Sequence, residues 1–376
     1  MSIVAERNVA RRAQRPTQDA RGLPNHFFTD QGHFETERRL LFQRTWVFAG
    51  VTASVAEPGS VFKTEVAGVP VIFVNGDDGE IRAFQNVCPH RGARLVEESH
   101  CGARRLTCPY HAWSYRLDGR LAGRPYYDGP TSGVEKHGDV RLFPVRLAIW
   151  HGAMLVNVDG KAPSLDDHLE ALNREARHYD LSAMCYGGMI SSEFRANWKL
   201  TAENWLDAYH VFVVHPTLNT MMEPEQRQSA LGTGTLVFGE YVSTDAGKDK
   251  RGGLPEIPGM PDELCNNSFY GLQFPNWSIS IHPTYLALWH WVPLAVDRTR
   301  CDVHVYFVGD AATDEVHRKD RDALLTYYAD LNQEDENVCR LMQEGRTAPA
   351  YDGGRFSPYW DGGTAWLTDL VRNAMC

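Results

Sequence analysis

Cys88-Pro89-His90-Arg91-Gly92 and, with seventeen residues between His90 and Cys108, Cys108-Pro109-Tyr110-His111-Ala112-Trp113 decide how this chain is read. Each half offers one thiolate and one imidazole from a short loop. Two sulfurs and two nitrogens can hold zinc in a closed structural site. They can also hold a 2Fe-2S cluster, with both cysteines on one iron and both histidines on the other. Three details favour the cluster. A C-x-H spacing is shorter than the spacings common in zinc fingers. A proline beside each cysteine removes a donor and stiffens the loop. The surrounding sequence reads as an all-β domain rather than a minimal finger folded by its metal.

Working outward, residues 59–160 read as short strands with turn punctuation. Val61–Val66 and Val69–Val74 are expected strands, and the turn cluster at 75–79 leads into Ile81–Phe84. Further hairpins are expected for Trp113–Leu117 with Arg120–Leu121, and for Arg146–Trp150 with Ala153–Val158. Upstream, a helix around Phe34–Phe42 precedes a strand through Trp46–Phe48. A length of 376 residues suggests two domains, and 43% hydrophobic with 23% charged residues is ordinary for a globular protein. A net charge of -10 argues against a nucleic-acid surface and leaves room for a protein partner with a basic patch. No apolar run is long enough to span a bilayer, and no signal-peptide core is visible. Arg7, Arg11, Arg12, Arg15 and Arg21, interrupted by Glu6 and Asp19, read as a loose arm or docking strap. Cys185, Cys265, Cys301, Cys339 and Cys376 follow no disulfide pattern, which points to reduced thiols and a cytoplasmic protein.

Past Gly160 the texture changes to longer mixed segments. Met189–Phe194 is an expected strand, 197–212 a buried helix, and 217–275 a run of loops. Trp277–Ile281, Tyr285–Pro293 and Asp302–Val308 alternate as antiparallel strands, and a helix is expected from about Thr313 to Gly345. Within 197–216, Asn204, Asp207 and His210 are spaced by three and share a helix face. His210 and His215 do not share one, but Pro216 disfavours helix at His215. Unwinding there would swing the two imidazoles together. Such a pair is either an iron site or two satisfied core histidines. Two imidazoles and a carboxylate make the facial triad of non-haem iron oxygenases. On the late helix Leu324, Tyr328, Leu331, Val338 and Met342 form an apolar stripe that includes Asp335, flanked by Glu334 and Glu336. A carboxylate on a buried stripe calls for a cation.

The CPHRG and CPYHAW motifs resemble the Rieske iron–sulfur domain of ring-hydroxylating oxygenases, and Asn197–Pro216 resembles that family's mononuclear iron motif. The resemblance runs from about residue 25 to the end. It implies an α+β chain: residues 1–43 as an arm and helix packing on the catalytic domain, 44–160 as the all-β Rieske domain, and 161–376 as a helix-grip-like catalytic domain with an antiparallel sheet and covering helices. Cys88 and Cys108 would hold one iron of the cluster and His90 and His111 the other. His210, His215 and Asp335 would hold the mononuclear Fe(II), with Glu334 the competing choice for the third ligand. Asn204 is expected either to line the iron pocket at the catalytic centre or to serve helix packing. Asp207 would bridge His210 to a Rieske histidine, here His111, across a subunit boundary, which implies a head-to-tail homotrimer. Cys101 has no evident disulfide partner, and a respiratory Rieske protein would need a membrane anchor that is not seen.

No dinucleotide fingerprint is present, so electrons are expected from a separate NAD(P)H-dependent reductase, with or without a ferredoxin. The expected activity is O2-dependent hydroxylation or oxidative demethylation of a small aromatic substrate, as in aromatic hydrocarbon catabolism. By the resemblance, relatives that oxidise carnitine or betaine-type amines tend to carry Glu at the bridge, so Asp at 207 weighs modestly toward that choice over a quaternary amine such as a betaine or carnitine. Trp277, Tyr285, Trp289 and Trp291 are read as core positions, with a cation cage as the alternative. A Rieske electron-transfer protein without oxygenase activity is the alternative from another class.

Overall fold

A computed structural model describes Pro16 and residues 19–131, 133–135, 139–223, 230–244 and 252–375. The arginines at 7, 11, 12 and 15, together with Cys376, lie outside the described residues. The chain divides into two compact units, 42–163 and a second made of 1–41 with 164–376.

The first unit is all β. Strands β1 (Val47–Val51), β2 (Val61–Val66), β3 (Val69–Asn75), β4 (Ile81–Gln85), β9 (Pro144–Trp150) and β10 (Ala153–Asn157) form an antiparallel sheet in the order β1-β10-β9-β4-β3-β2. Short strands β5 (Leu106–Thr107), β6 (Ser114–Tyr115), β7 (Leu121–Pro125) and β8 (Val134–Glu135) form a second sheet inserted between β4 and β9. A core of Ile72, Val74, Phe84, Leu106, Trp113, Tyr115 and Leu142 also buries Cys88 and Cys108. The alternation of Val61–Val66, buried at both ends and exposed at Lys63 and Glu65, shows why a periodic reading finds this strand.

In the second unit, helices α1 (His26–Thr29) and α2 (Gln31–Glu37) lead in, the latter capped by the Asp30 carboxylate on the His33 N–H. After α3 (Leu165–His168) and α4 (Glu170–Ala176), seven antiparallel strands follow: β11 (Met184–Phe194), β12 (Leu231–Thr233), β13 (Leu236–Val242), β14 (Asn267–Gln273), β15 (Trp277–His282), β16 (Tyr285–Ala295) and β17 (Arg298–Val308). Their order is β11-β17-β16-β15-β14-β13-β12, a meander apart from β11, which pairs with β17. Helices α5 (Trp198–Leu206), α6 (Val211–Val214) and α7 (Pro216–Met221) lie between β11 and β12, and α8 (Arg318–Gly345) and α9 (Gly362–Ala374) follow the sheet.

Three expectations are corrected here. The segment 217–275 is not all loop: it contains α7, β12, β13 and β14. β13 and β14 are buried along nearly their whole length, Gly239 and Gly271 included, so neither shows the alternation that marks a half-exposed strand. The helix expected over 197–212 stops at Leu206. The Asp207 carboxylate accepts hydrogen bonds from the backbone N–H groups of Tyr209 and His210 at 2.7 and 3.1 Å, a local alternative to the helical ladder. Asn204, Asp207 and His210 therefore do not share one helix face. On α8 the buried face is Arg321, Tyr328, Asn332, Glu336 and Cys339, while Met342 is exposed. Hydrophobicity misplaced this face because polar residues occupy it. Arg321 donates to the Ala311 and Asp314 carbonyls, Asn332 to the Ser192 hydroxyl, and Glu336 receives Arg195 at 2.8 Å.

Candidate functional site

The two halves of the cysteine–histidine motif fold alike. Cys88 and Cys108 accept at their carbonyls from Gly92 and Ala112, four residues on, and donate their N–H groups to Ala93 and Trp113, five residues on. Gly92 and Ala112 close these turns at φ +75° and +55°. The left-handed conformation carries no steric cost for glycine and roughly 1–2 kcal/mol for alanine. The result presents a thiol and an imidazole from each loop. The His90 and His111 rings lie 4.7 Å apart, and His90 stacks on Trp113 at 4.5 Å. Nδ1 of both histidines is buried without a hydrogen-bond partner. Burial pushes the Cys88 thiol up, with the Tyr115 hydroxyl 3.2 Å from its sulfur working against it. Two inward-facing imidazole nitrogens with no protein partner, beside two buried thiols, fit a cluster of the 2Fe-2S type. Cys101 is exposed and unpaired.

The second site is built on the break after α5. Asn197 caps that helix by accepting the Lys199 N–H, and Trp198, Leu200 and Leu206 bury it. The Asp207 turn releases the chain, α6 adds one turn, and His215 takes φ -117°, ψ 77° ahead of Pro216 at the first position of α7. The imidazoles converge, His210 Nε2 lying 3.1 Å from His215 Nε2. The unwinding expected only at His215 thus begins eight residues earlier, at Asp207.

Asp335 on α8 completes the cluster. Its Oδ1 is 2.9 Å from His215 Nε2 and 3.5 Å from His210 Nε2, and one ligand atom from each of the three residues lies within 4.8 Å of the others. Burial alone would raise the Asp335 carboxyl, but hydrogen bonds from both histidines hold it well below the usual carboxylate range. His210 is disfavoured as a cation by burial yet pushed up to about 9 by Asp207 and Asp335. Two imidazoles aimed at one buried carboxylate make a donor set suited to a divalent iron.

Other carboxylates hold this set. Asp207 Oδ2 lies 3.3 Å from His210 Nδ1. Glu334, weighed as a ligand from sequence, has its Oε2 2.6 Å from His215 Nδ1, the far edge of the ring from Asp335. Asn204 Nδ2 donates to Asp335 Oδ1 at 2.6 Å and does not line the adjoining cavity.

That cavity, about 860 Å³ including its open mouth, runs from His210, His215 and Asp335 between α8 and the sheet. Val211, Leu218, Met221 and Met222 line it together with the aromatic side chains of Trp205, Tyr270, Tyr285, Trp289 and Tyr328. Trp205 meets Tyr270, Trp289 and Trp291 edge-on at 5.4–5.8 Å. Of the four aromatic residues read as core, Trp277 and Trp291 are buried away from the cavity, whereas Tyr285 and Trp289 line it. The sequence reading missed Tyr241, His282, Tyr327 and the hydroxyl of Tyr328, which also line it. The period-two spacing of His282 with Ser280 on β15 was the available signal.

Residues 45–151 match the Rieske [2Fe-2S] domain family, and residues 169–375 match the ring hydroxylating alpha subunit (catalytic domain) family. The carnitine monooxygenase oxygenase subunit of Escherichia coli (strain K12) is 27% identical over 344 residues, spanning 89% of this chain and 87% of that protein. The glycine betaine monooxygenase oxygenase subunit of Chromohalobacter salexigens is 33% identical over 222 residues, 59% of this chain and 49% of that protein. A solved quaternary ammonium Rieske monooxygenase, described for carnitine oxidation and inter-subunit electron transfer, has the same fold, with a TM-score of 0.80 at 23% identity over 96% of both chains. No helix among the described residues is long and apolar enough to cross a membrane.

Proposed function

Since the chain belongs to the ring-hydroxylating alpha-subunit family, as the terminal oxygenase of a Rieske non-haem iron system, we propose that its substrate is a small quaternary ammonium compound. The enzyme is an oxidoreductase carrying a 2Fe-2S cluster and a mononuclear iron. Its reducing equivalents come from a separate reductase. When bound, the cluster supplies single electrons and the mononuclear iron supplies activation of O2.

The observation that carries the substrate reading is the cavity wall. Trp205, Tyr270, Tyr285, Trp289 and Tyr328 line one cavity with the metal-binding side chains. A ring face attracts a cation that has lost its water by about 2 kcal/mol or more. A trimethylammonium group makes no hydrogen bonds, so aromatic faces and methionine side chains solvate it well. The relatives acting on carnitine and glycine betaine support the same choice. An aromatic-hydrocarbon substrate finds no support in them, and Asp at 207 is a single carboxylate homologue away from Glu. That substitution is too slight to outweigh the cavity.

In this reading Cys88, Cys108, His90 and His111 hold the cluster, and His210, His215 and Asp335 hold the iron. Asp207 fixes the His210 ring through Nδ1, Glu334 fixes His215, and Asn204 orients Asp335. Asp207 is also the contact through which an electron from His111 of the partner subunit reaches His210, which makes the working assembly a homotrimer. The free cysteines favour a cytoplasmic location.

The test is anaerobic binding followed by turnover with a generic reductase, using choline, glycine betaine, carnitine and matched aromatic acids, with products scored by mass. Oxygenated or demethylated ammonium compounds are expected. Turnover of aromatic acids alone would return the reading to an aromatic substrate.

A further inference from the structure

In the all-β unit, the ring of His90 begins a line of aromatic side chains that ends at the surface. His90 stacks on Trp113 at 4.5 Å with the planes 4° apart, and Trp113 meets Tyr127 edge-on at 5.6 Å. Trp113 is buried, whereas Tyr127 is half exposed. The Arg124 guanidinium lies 3.9 Å from the centre of the Tyr127 ring, a cation–π contact that holds the outer ring in place. At the inner end the Cys108 N–H donates to the Trp113 carbonyl at 2.8 Å, which ties Trp113 to the second cysteine–histidine loop. Packing accounts for a buried Trp113. It does not call for a tyrosine half in water, pinned by an arginine.

The charge along this stretch runs against that of the chain. Residues 88–127 carry seven arginines, no lysine and three carboxylates, with Asp128 at the edge, in a chain whose net charge is -10. Arg91 stands beside His90 in the turn that the Gly92 N–H closes onto the Cys88 carbonyl, and Arg94 follows in the same loop. Both arginines are exposed, and His90 itself is partly so. The arginine fork matches carboxylates, and arginine and tyrosine are over-represented among the side chains that carry the binding energy of protein interfaces. Tyr126, next to Tyr127, is exposed as well.

We infer that Arg91, Arg94 and Tyr127 mark the docking face of an acidic electron-donor protein, and that the electron enters through Tyr127 and Trp113 to His90. The inference rests on the reading that a separate protein supplies the electrons, and it needs no particular substrate. It divides the two histidines by direction: His90 receives, and His111 is left to hand the electron on across the subunit boundary. One electron leaves the reduced donor and one enters the oxidised cluster, with no bond or proton transferred. The arginines act on encounter, where attraction between opposite charges raises association rates by about 10–1,000-fold and is screened by salt. The rings act after docking. Tunnelling falls steeply with the gap between redox centres, and a continuous line of rings narrows that gap.

The probe is an acidic plant-type 2Fe-2S ferredoxin, whose potential lies below the Rieske range, so that electron flow into the cluster-loaded full chain is downhill. Calorimetry with both proteins oxidised reads docking without electron transfer. Stopped-flow absorbance of the cluster reads the electron, with dithionite as a small donor that needs no docking face. Wild-type binding is expected to weaken about ten-fold or more as salt is raised from low to physiological strength. Arg91→Gln and Arg94→Gln are each expected to weaken binding several-fold and flatten its salt dependence, with the visible spectrum and the dithionite rate unchanged. Tyr127→Leu is expected to slow the limiting rate at saturating ferredoxin several-fold, and Tyr127→Phe to restore it, because the ring and not the hydroxyl carries the path. Salt-independent binding, or full binding by both arginine variants, overturns the docking face. An unchanged limiting rate in Tyr127→Leu overturns the ring path and leaves direct entry at the His90 edge. Dissociation of the assembly in the arginine variants, read by light scattering, assigns the face to subunit packing and overturns the donor site. A cluster that dithionite reduces and ferredoxin does not removes the acidic donor, while the ammonium reading of the substrate stands.

Discussion

Glu334 Oε2 lies 2.6 Å from Nδ1 of His215 while Asp335, the next residue on the same helix, reaches Nε2 of that ring at 2.9 Å. Two adjacent carboxylates thus grip opposite edges of one imidazole, and only one of them faces the candidate set of metal-ligating atoms. A hydrogen bond from the far ring nitrogen fixes the tautomer and turns the other lone pair toward the metal. Glu334→Gln is expected to weaken iron binding about 10–100-fold, the usual cost of losing such a partner. Chelator competition measures it. Iron loss as complete as in Asp335→Ala would make Glu334 a ligand instead.

Asp335→Ala and His210→Ala should each remove the mononuclear iron and leave the visible absorbance of the cluster in place, because Cys88, His90, Cys108 and His111 belong to a separate compact unit. Iron analysis alongside absorbance checks this. Retention of all iron in either variant would dismantle the triad.

Asp207 has two structural duties, capping Tyr209 and His210 N–H groups and orienting His210. Asn keeps one oxygen acceptor, so Asp207→Asn is expected to fold, hold both metals and still lose steady-state oxygenation. Single-turnover product formation from enzyme reduced beforehand separates electron delivery from chemistry. Undiminished steady-state turnover would end the electron-bridge role.

The convergence of His210 and His215 was legible because Pro216 restricts its neighbour by sterics alone. The β domain was legible because strands such as β2 expose one face and alternate. Glu334 was not legible as a partner of His215, since the helical period places a side chain on a face without saying which ring edge it meets. The cavity end at His282 was hidden for a related reason. Its members come from β13, β14, β15, β16 and α8, and only the antiparallel register brings Ser268, Ser280 and Tyr241 around one imidazole. Strands β13 and β14 escaped because burial on both faces erases the alternation that periodicity detects.

Lys199 and Glu37 form an ion pair at 2.6 Å with both side chains essentially inaccessible, and Trp198 Nε1 donates to the second carboxylate oxygen at 3.0 Å. This ties α2 to the helix that precedes His210 and His215. Lys199→Met leaves Glu37 buried without its cation and is expected to cost about 3–5 kcal/mol. The double variant Lys199→Met with Glu37→Leu should recover much of that loss. Denaturant midpoints measure both, and a double variant no better than the single would show that packing, not charge, sets the cost.

His304 on β17 is buried, and burial lowers its pKa to about 4 against the partial opposition of Asp302. The unfolded chain binds this proton near pH 6.5, so the folded state keeps its full margin above that pH. The margin is lost as pH falls from about 6.5 to 4, by about 3 kcal/mol from this residue alone. His304→Gln removes the titration, so denaturant midpoints measured at pH 7.5 and pH 4.5 are expected to fall less in the variant than in the wild type. Parallel decline in the two proteins would mean that His304 is reached by water and takes up its proton without unfolding.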